Sequence, residues 1–111
     1  MNYTPDKFVV IKISHNNETI YKVFGMWSGG YLSGDSWRMN SGIEFIKIIG
    51  DKLLFMGYSG SVYEVYKQSE SVTAYGGAVL SNIIDKSNGV AKVIDLDELI
   101  NSGDVEVIYE G

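Results

Sequence analysis

The first part of the chain is a succession of short apolar runs separated by turn residues, which is the pattern of antiparallel strands. Residues 7–14 (K-F-V-V-I-K-I-S) form the first run and residues 19–27 form the second. Between them lies H-N-N-E at 15–18, and Asn tolerates the positive φ that a tight turn requires. One parity of the first run is wholly apolar: Val9, Ile11 and Ile13. The pattern predicts a hairpin whose first strand buries one face.

A second hairpin and a further strand follow. Residues 43–49 and 52–58 are apolar runs joined through Gly-Asp at 50–51, a two-residue connection typical of tight hairpins. The S-G-S sequence at 59–61 ends this pair, and residues 62–67 (V-Y-E-V-Y-K) alternate as a fifth strand. The five successive strands predict an antiparallel meander.

From residue 71 onward the apolar positions recur at spacings of three and four, which predicts an amphipathic helix. The residues that carry this period are Val72, Tyr75, Val79, Leu80, Ile83 and Ile84. Each of Gly76 and Gly77 would cost about 1 kcal/mol within a helix, so the regular part is expected to begin near Ala78. Residues 75–77 would then form a turn with free N–H groups, and Asn-Gly at 88–89 is the expected C-cap.

The last part of the chain predicts two more strands and a short helix. Residues 90–94 are extended in character, D-L-D-E at 95–98 has the spacing of a capping box, and the short helix is expected to end at Gly103. Residues 104–110 alternate like an edge strand. The fold class is therefore predicted as α+β: an antiparallel five- or six-stranded meander sheet with one helix packed on it and a short C-terminal helix. The residues expected to be largely buried are Val9, Ile11, Ile13, Val23, Ile46, Leu54, Val65, Val79 and Ile83.

The 111 residues predict a single domain over 1–111, and an apolar content of 45% is ample for one core. The absence of cysteine excludes disulfides, thiolate metal sites and a cysteine nucleophile, and it fits a reducing compartment. No stretch approaches the roughly 20 apolar residues of a membrane helix. We therefore expect a cytoplasmic protein that does not contact a membrane and that needs no metal or cofactor.

The net charge of −5 is distributed unevenly. Residues 1–94 hold nine basic and eight acidic side chains, whereas residues 95–111 hold six acidic and no basic ones. A protein that binds duplex nucleic acid needs several Lys or Arg contacts to phosphate, so that class of partner is not expected. The acidic C-terminal part is either a solvated surface or a surface for a basic protein partner.

Residues 27–42 (W-S-G-G-Y-L-S-G-D-S-W-R-M-N-S-G) concentrate the residues best suited to binding. Both tryptophans and the only arginine lie there, and within six positions the segment offers a carboxylate, an indole, a guanidinium and an amide. A nucleotide-like anion requires this combination of groups. Two further glycine loops, at 58–61 and 75–77, supply additional backbone donors. The residues predicted to bind the ligand are Trp27, Gly29, Gly30, Tyr31, Asp35, Trp37, Arg38, Asn40, Ser59, Ser61, Tyr75 and Gly76.

A purely structural interpretation of the same segment stays open. The two tryptophans would then plug the open end of the sheet, Asp35 would cap a turn, and Arg38 would pair with Glu44 or Asp35. The eight tyrosines also suit an interface, and strands of a small sheet often pair across a dimer axis, so a homo-oligomer is expected.

Catalytic motifs are missing from the sequence. The single histidine, His15, lies in a predicted turn, and no nucleophile elbow, zinc-protease, P-loop or dinucleotide fingerprint is present. Paired carboxylates, such as Asp35 with Glu44 or Glu64, leave a small hydrolase as an alternative. We expect a protein that is not an enzyme, and we assign no catalytic residue.

The motif G-x-W-S-G-G-Y-L-S-G-D-S-W-R-M-N-S-G-I, with G-Y-S-G-S-V-Y downstream, resembles small accessory proteins of tailed bacteriophages. The resemblance covers about half of the chain. It implies a setting similar to that of phage counter-defence proteins, which occupy a host enzyme or take up a nucleotide signal in the infected cell. The predicted function is thus non-catalytic sequestration of a small nucleotide-like anionic signal in the Gly/Trp/Arg loop. The alternatives are an inhibitor of a host or defence enzyme that acts through the acidic C-terminal surface, and a small hydrolase.

Overall fold

Both predicted hairpins form, but they belong to two different sheets. The computed structural model of the chain describes residues 1–29 and 34–111. Its strands, in chain order, are β1 (Asn2–Tyr3), β2 (Lys7–His15), β3 (Glu18–Trp27), β4 (Ser36–Met39), β5 (Ile43–Ile49), β6 (Lys52–Gly57), β7 (Val62–Tyr66), β8 (Ala91–Ile94) and β9 (Glu106–Glu110). The helices are α1 (Ala74–Lys86) and α2 (Leu96–Asn101), with one turn of 3-10 helix at Lys67–Ser69.

The strands form a five-stranded sheet in the order β1-β7-β6-β5-β9 and a four-stranded sheet in the order β4-β3-β2-β8. We call the first the outer sheet and the second the central sheet, because the central sheet lies between the outer sheet and α1. The central sheet is antiparallel throughout, whereas β1 pairs with β7 and β5 pairs with β9 in parallel. The α+β class, the dominance of sheet and the two helices are confirmed. The single antiparallel meander is wrong, because the chain crosses from one sheet to the other between β4 and β5.

Strand β2 explains why two sheets are needed. Successive side chains of a strand point to opposite faces, and β2 is buried on both: Phe8 and Val10 pack between the sheets, while Val9 and Ile11 pack under α1. A strand that is apolar on both faces requires a covering layer on each side. The prediction that this strand buries one face is therefore wrong.

Most of the predicted core is confirmed, with one error of parity. Buried as predicted are Val9, Ile11, Val23, Ile46 and Val65, and partly buried are Ile13, Val79 and Ile83. Leu54 is not in the core. Its neighbours Leu53 and Phe55 are fully buried between the sheets, so Leu54 points to the other, outward face of the outer sheet.

Helix α1 begins four residues earlier than predicted, and both glycines lie in its first turn. The side chain of Thr73 caps the helix, because its Oγ1 accepts a hydrogen bond from the Gly76 N–H at 2.9 Å. A Cβ on Gly76 would overlap the Cγ of Met26, a fully buried side chain of β3. The helix tolerates glycine here because only glycine lets it approach the central sheet this closely.

We expect Gly76→Ala and Gly77→Ala to change stability in opposite directions. The first methyl group collides with a buried side chain, and overpacking of this kind costs about 1–3 kcal/mol. The second would meet only the half-exposed Val72, with its nearest atom at 3.2 Å, so the gain of up to about 1 kcal/mol in helix propensity should prevail. Urea denaturation of both variants measures the difference, and equal effects would contradict the close contact between α1 and β3.

The C-terminal elements follow the predicted order. Strand β8 pairs with β2, and α2 ends before Gly103, which has φ 75°. The carboxylate that reaches the start of α2 is that of Glu70, whose Oε2 accepts from the Leu96 N–H at 2.7 Å, instead of one from the predicted capping box. Strand β9 lies at an edge of the outer sheet, as predicted. Neither helix of the described residues has the length and apolar character needed to cross a membrane.

Candidate functional site

A cavity of about 520 Å³ opens at the end of the central sheet, where β3 leads into β4. Its walls are formed by Trp27, Ser28, Gly29, Gly34, Ser36, Trp37 and Arg38. Four of these residues were predicted from the sequence as ligand-binding: Trp27, Gly29, Trp37 and Arg38. Two serine hydroxyls and Gly34 were not predicted. The cavity therefore combines a guanidinium, two indoles and small polar groups on the described ends of one loop.

The backbone around the cavity is fixed by Asp6 and by a close glycine contact. Asp6 donates its N–H to the Met26 carbonyl and accepts the Ser28 N–H on Oδ2, both at 2.9 Å. A Cβ on Gly29 would overlap the carbonyl oxygen of Gly34, and Gly34 has φ 65°. Glycine is required at both places, because one needs the close approach and the other the left-handed backbone.

The two tryptophans lie on opposite faces of the central sheet. In the β3–β4 pairing, Trp37 is opposite Met26 on the face that α1 covers, and it stacks on Phe24 with centroids 5.1 Å apart and an interplanar angle of 11°. Trp27 is on the face toward the outer sheet, where Arg38 also lies. An aromatic ligand that contacts Arg38 would therefore meet Trp27, not Trp37, on the same face of the sheet.

Arg38 lies over an aromatic surface that includes Tyr3, a residue that was not predicted from the sequence. Its Cζ is 4.7 Å from the centroid of the Tyr3 ring, a cation–π distance. Tyr3 in turn packs against Tyr63 at 4.9 Å and against the edge of Trp27 at 6.4 Å. Burial raises the pKa of Tyr63 to about 12, although the positive charge of Arg38 opposes the shift. The Tyr63 hydroxyl is therefore neutral at physiological pH and does not neutralise the charge of Arg38.

No carboxylate neutralises Arg38. All fourteen Asp and Glu residues fall within the ranges that the structure describes, and the one ion pair found among them joins Lys47 Nζ and Glu110 Oε1 at 3.6 Å. The ion pair of Arg38 with Glu44 or Asp35, which the structural interpretation required, is not formed. Among the described residues, the guanidinium therefore forms no ion pair with a carboxylate.

Asn40 has a structural role in place of the predicted contact with ligand. It is 4% exposed, its Oδ1 accepts from the Val23 N–H at 2.9 Å, and its own N–H donates to the Val23 carbonyl at 3.2 Å. These two bonds continue the β3–β4 pairing by one position, just where the chain turns toward the outer sheet.

The remaining predicted residues do not line the cavity. Ser59 and Ser61 lie in the β6–β7 turn, with their hydroxyls 3.4 Å apart, and the Ser59 N–H donates to Ser41 Oγ. Tyr75 and Gly76 belong to α1, and the Gly76 N–H is used by the Thr73 cap. The exposed Asp35 lies between two lining residues without lining the cavity itself, and Gly30 and Tyr31 lie outside the described residues.

Tyr3 and Asp6 are the contributions that sequence analysis did not find. Tyr3 reaches Arg38 because β1 pairs in parallel with β7, some sixty residues along the chain, and a two-residue strand has no periodicity to detect. The hydrogen bonds of Asp6 depend equally on the β2–β3 register. Contacts of this kind follow from the assembled sheets and leave no local signal.

The carboxylate pairs of the hydrolase alternative are separated in the fold. Glu44 is on β5 and Glu64 is on β7, with β6 between them, whereas Asp35 precedes β4 in the central sheet. In the part of the chain that the structure describes, no group of three or more His, Asp or Glu side chains is placed to hold a metal ion.

Comparison of the chain with protein-family models, with curated proteins and with solved structures finds no match.

Proposed function

We propose that the protein is a non-catalytic binding protein for a small anion that carries a planar ring, such as a nucleotide-like signal. The observation that supports the proposal is the state of Arg38, which lines a cavity on an aromatic surface and has no carboxylate partner among the described residues. Arg38 is exposed at the mouth of this cavity, so an anionic ligand can reach its guanidinium directly.

The chemistry around Arg38 suits such a ligand. A guanidinium presents a planar fork of donors that matches phosphate or carboxylate in two-point contact. Ser28 and Ser36 add hydroxyl groups, and Trp27 offers an aromatic surface on the same side of the sheet. The cavity volume of about 520 Å³ lies within the ordinary range of small-molecule sites, about 300–1,000 Å³.

The biological setting in this proposal is the one implied by the phage resemblance. Binding without turnover removes a signal molecule in proportion to the amount of protein, so a small, abundant sequestering protein suits counter-defence in an infected cell.

The alternative of an inhibitor that acts through the acidic C-terminal surface has less support. Two of the six acidic groups are already engaged, since Asp104 accepts from the Tyr21 hydroxyl at 2.7 Å and Glu110 pairs with Lys47. Asp97 and Glu98 occupy the first turn of α2, where negative charge stabilises the helix itself.

The test is calorimetric titration with nucleoside monophosphates, the matching uncharged nucleosides and inorganic phosphate. We expect the nucleotides to bind best and Arg38→Ala to weaken that binding at least tenfold, because a charge-assisted contact is worth about 1.5–3 kcal/mol. Arg38→Lys should recover only part of the affinity, because an ammonium keeps the charge but loses the planar fork.

Lys92→Ala is the matched control, because it removes one exposed positive charge from the opposite edge of the same sheet and should leave binding unchanged. Full affinity of Arg38→Ala combined with a lower melting temperature would mean that the arginine only supports the loop. A wild-type protein that binds none of the nucleotides would contradict the nucleotide-like ligand.

A further inference from the structure

The outward face of the outer sheet carries apolar side chains that are exposed or partly exposed. The inward side chains of β5, β6 and β7 are buried against the central sheet, while α1 covers the other face of the central sheet. The outward apolar side chains are all at least partly exposed: Phe45, Ile49, Leu54, Met56, Val62 and Ile108. We call these residues and the charged side chains between them the outer-sheet face. Contiguous apolar residues on the surface of a small protein mark interaction sites.

Charges of both signs lie among these apolar residues in a regular order. The strand register puts Lys47 of β5, Leu54 of β6 and Glu64 of β7 in one row across the sheet. The next row holds Glu110 of β9, Ile49 of β5 and Lys52 of β6. In each row a lysine and a glutamate are separated by one apolar strand position. A surface that carries both signs in this spacing is suited to meet a copy of itself.

We propose that the outer-sheet face binds the same face of a second copy of the chain. In this dimer the two-fold axis runs parallel to the strands, between β5 and β6, so that β5 of one copy lies over β6 of the other. Phe45 then faces Met56 of the second copy. Lys47 faces Leu54 of the second copy, and Glu64 of the second copy is on the strand next to that Leu54. In the same manner Lys52 lies one strand away from Glu110 of the second copy, which also keeps its 3.6 Å ion pair with Lys47 of its own chain. The proposal does not depend on the Arg38 site.

The charges select this axis over the other simple arrangement. A two-fold axis perpendicular to the strands, through the row of Lys47, would place Lys47 opposite its own copy and Glu64 opposite its own copy. It would also bring Glu106 and Glu110 of different copies together. Like charges directly opposed are destabilising, so that arrangement is disfavoured.

The area of the face fits a dimer that dissociates on dilution. The 25 residues of the five strands, at about 3.3 Å rise and about 4.8 Å spacing, present roughly 400 Å² per copy, and the total of about 800 Å² lies in the range of weak, transient interfaces. Sheets packed face to face interdigitate side chains about 10 Å apart, a distance that Lys and Glu side chains can bridge.

Sedimentation velocity over a range of concentrations tests the interface. We expect the wild-type protein to pass from the mass of one chain to the mass of two as its concentration rises. Met56→Lys should weaken this association at least tenfold, because it puts a charge opposite Phe45 of the second copy. Val93→Lys is the control, since Val93 is an equally apolar, 45% exposed strand residue in the groove beside α1, and it should have no effect.

A charge exchange tests the orientation. Lys47→Glu and Glu64→Lys should each weaken association. The double variant should associate more strongly than either single variant, because the exchanged pair meets again across the axis, although it lacks the Lys47–Glu110 ion pair within each copy. Association in the double variant no stronger than in either single variant would overturn the proposed axis. A wild-type protein with the mass of one chain at every concentration, or association that Val93→Lys weakens and Met56→Lys does not, would overturn the interface. Thermal melting of dilute protein shows that each variant is folded.

Discussion

Replacement of Phe8 by alanine will lower the free energy of unfolding by about 3–5 kcal/mol, the range for loss of a fully buried phenylalanine. Phe8 is 0% exposed in the core between the two sheets, and its ring centroid is 5.6 Å from that of Phe55. Ile11→Ala, on the opposite face of β2, should cost about 2–4 kcal/mol, because it opens a cavity under α1. Large effects on both faces of one strand are the signature of a central sheet.

Urea denaturation at a concentration where the protein is a single chain gives both values. Ser14→Ala is the control, because Ser14 is an exposed residue of the same strand and its loss should stay within about 0.5 kcal/mol. If Phe8→Ala is as mild as Ser14→Ala while Ile11→Ala remains costly, β2 has one buried face and the two-sheet arrangement is wrong.

The second large effect is expected at Asn40, where alanine should cost about 1–3 kcal/mol. The loss of Oδ1 leaves the N–H of the fully buried Val23 without its acceptor, and an unsatisfied buried donor costs about 1–3 kcal/mol. The Asn40 amide nitrogen is itself buried without a hydrogen-bond partner within the described residues, so its removal should offset part of this loss.

Asn82→Ala is the matched control, because Asn82 is exposed on α1 and its replacement should be neutral or slightly stabilising. Chemical denaturation of the two variants side by side measures the difference. An Asn40→Ala variant as stable as Asn82→Ala would show that the side chain does not join β4 to β3.

The elements that sequence reasoning predicted well are those with local signals. The β2–β3 hairpin, the β5–β6 hairpin and the helix that ends near Asn88 all have a period or a turn that a few neighbouring residues define. The partition into two sheets has no such signal: the second parity of β2 mixes Phe8 and Val10 with Lys12, and the burial of Phe8 and Val10 follows only from the second sheet packed on them. In K-L-L-F-M-G both parities are apolar, so packing alone decides that Leu53, and not Leu54, enters the core.

The candidate site shows the same division. Trp27 and Arg38 are predictable because the loop that contains them has an unusual composition. The aromatic surface that both side chains contact also requires Tyr3 from β1. The prediction of a turn at 75–77 is wrong for a related reason. Helix propensity penalises Gly76, yet the buried side chain of Met26 leaves no space for any larger residue at that position. In both cases contact between distant segments outweighs a local preference.

The parallel pairing of β5 with β9 has a kinetic consequence. Phe45 and Glu106 become neighbours only after the β6–β7 pair, α1, β8 and α2 have been traversed, so the loop closed by this pairing is long. The entropy of such a closure is lost before its contacts form, which slows folding in proteins rich in non-local strand pairs. Until β9 arrives, the hydrogen-bonding groups of β5 on that side stay unpaired, and an unpaired strand edge recruits other strands. During synthesis the half-built outer sheet is therefore the segment most in need of protection from aggregation.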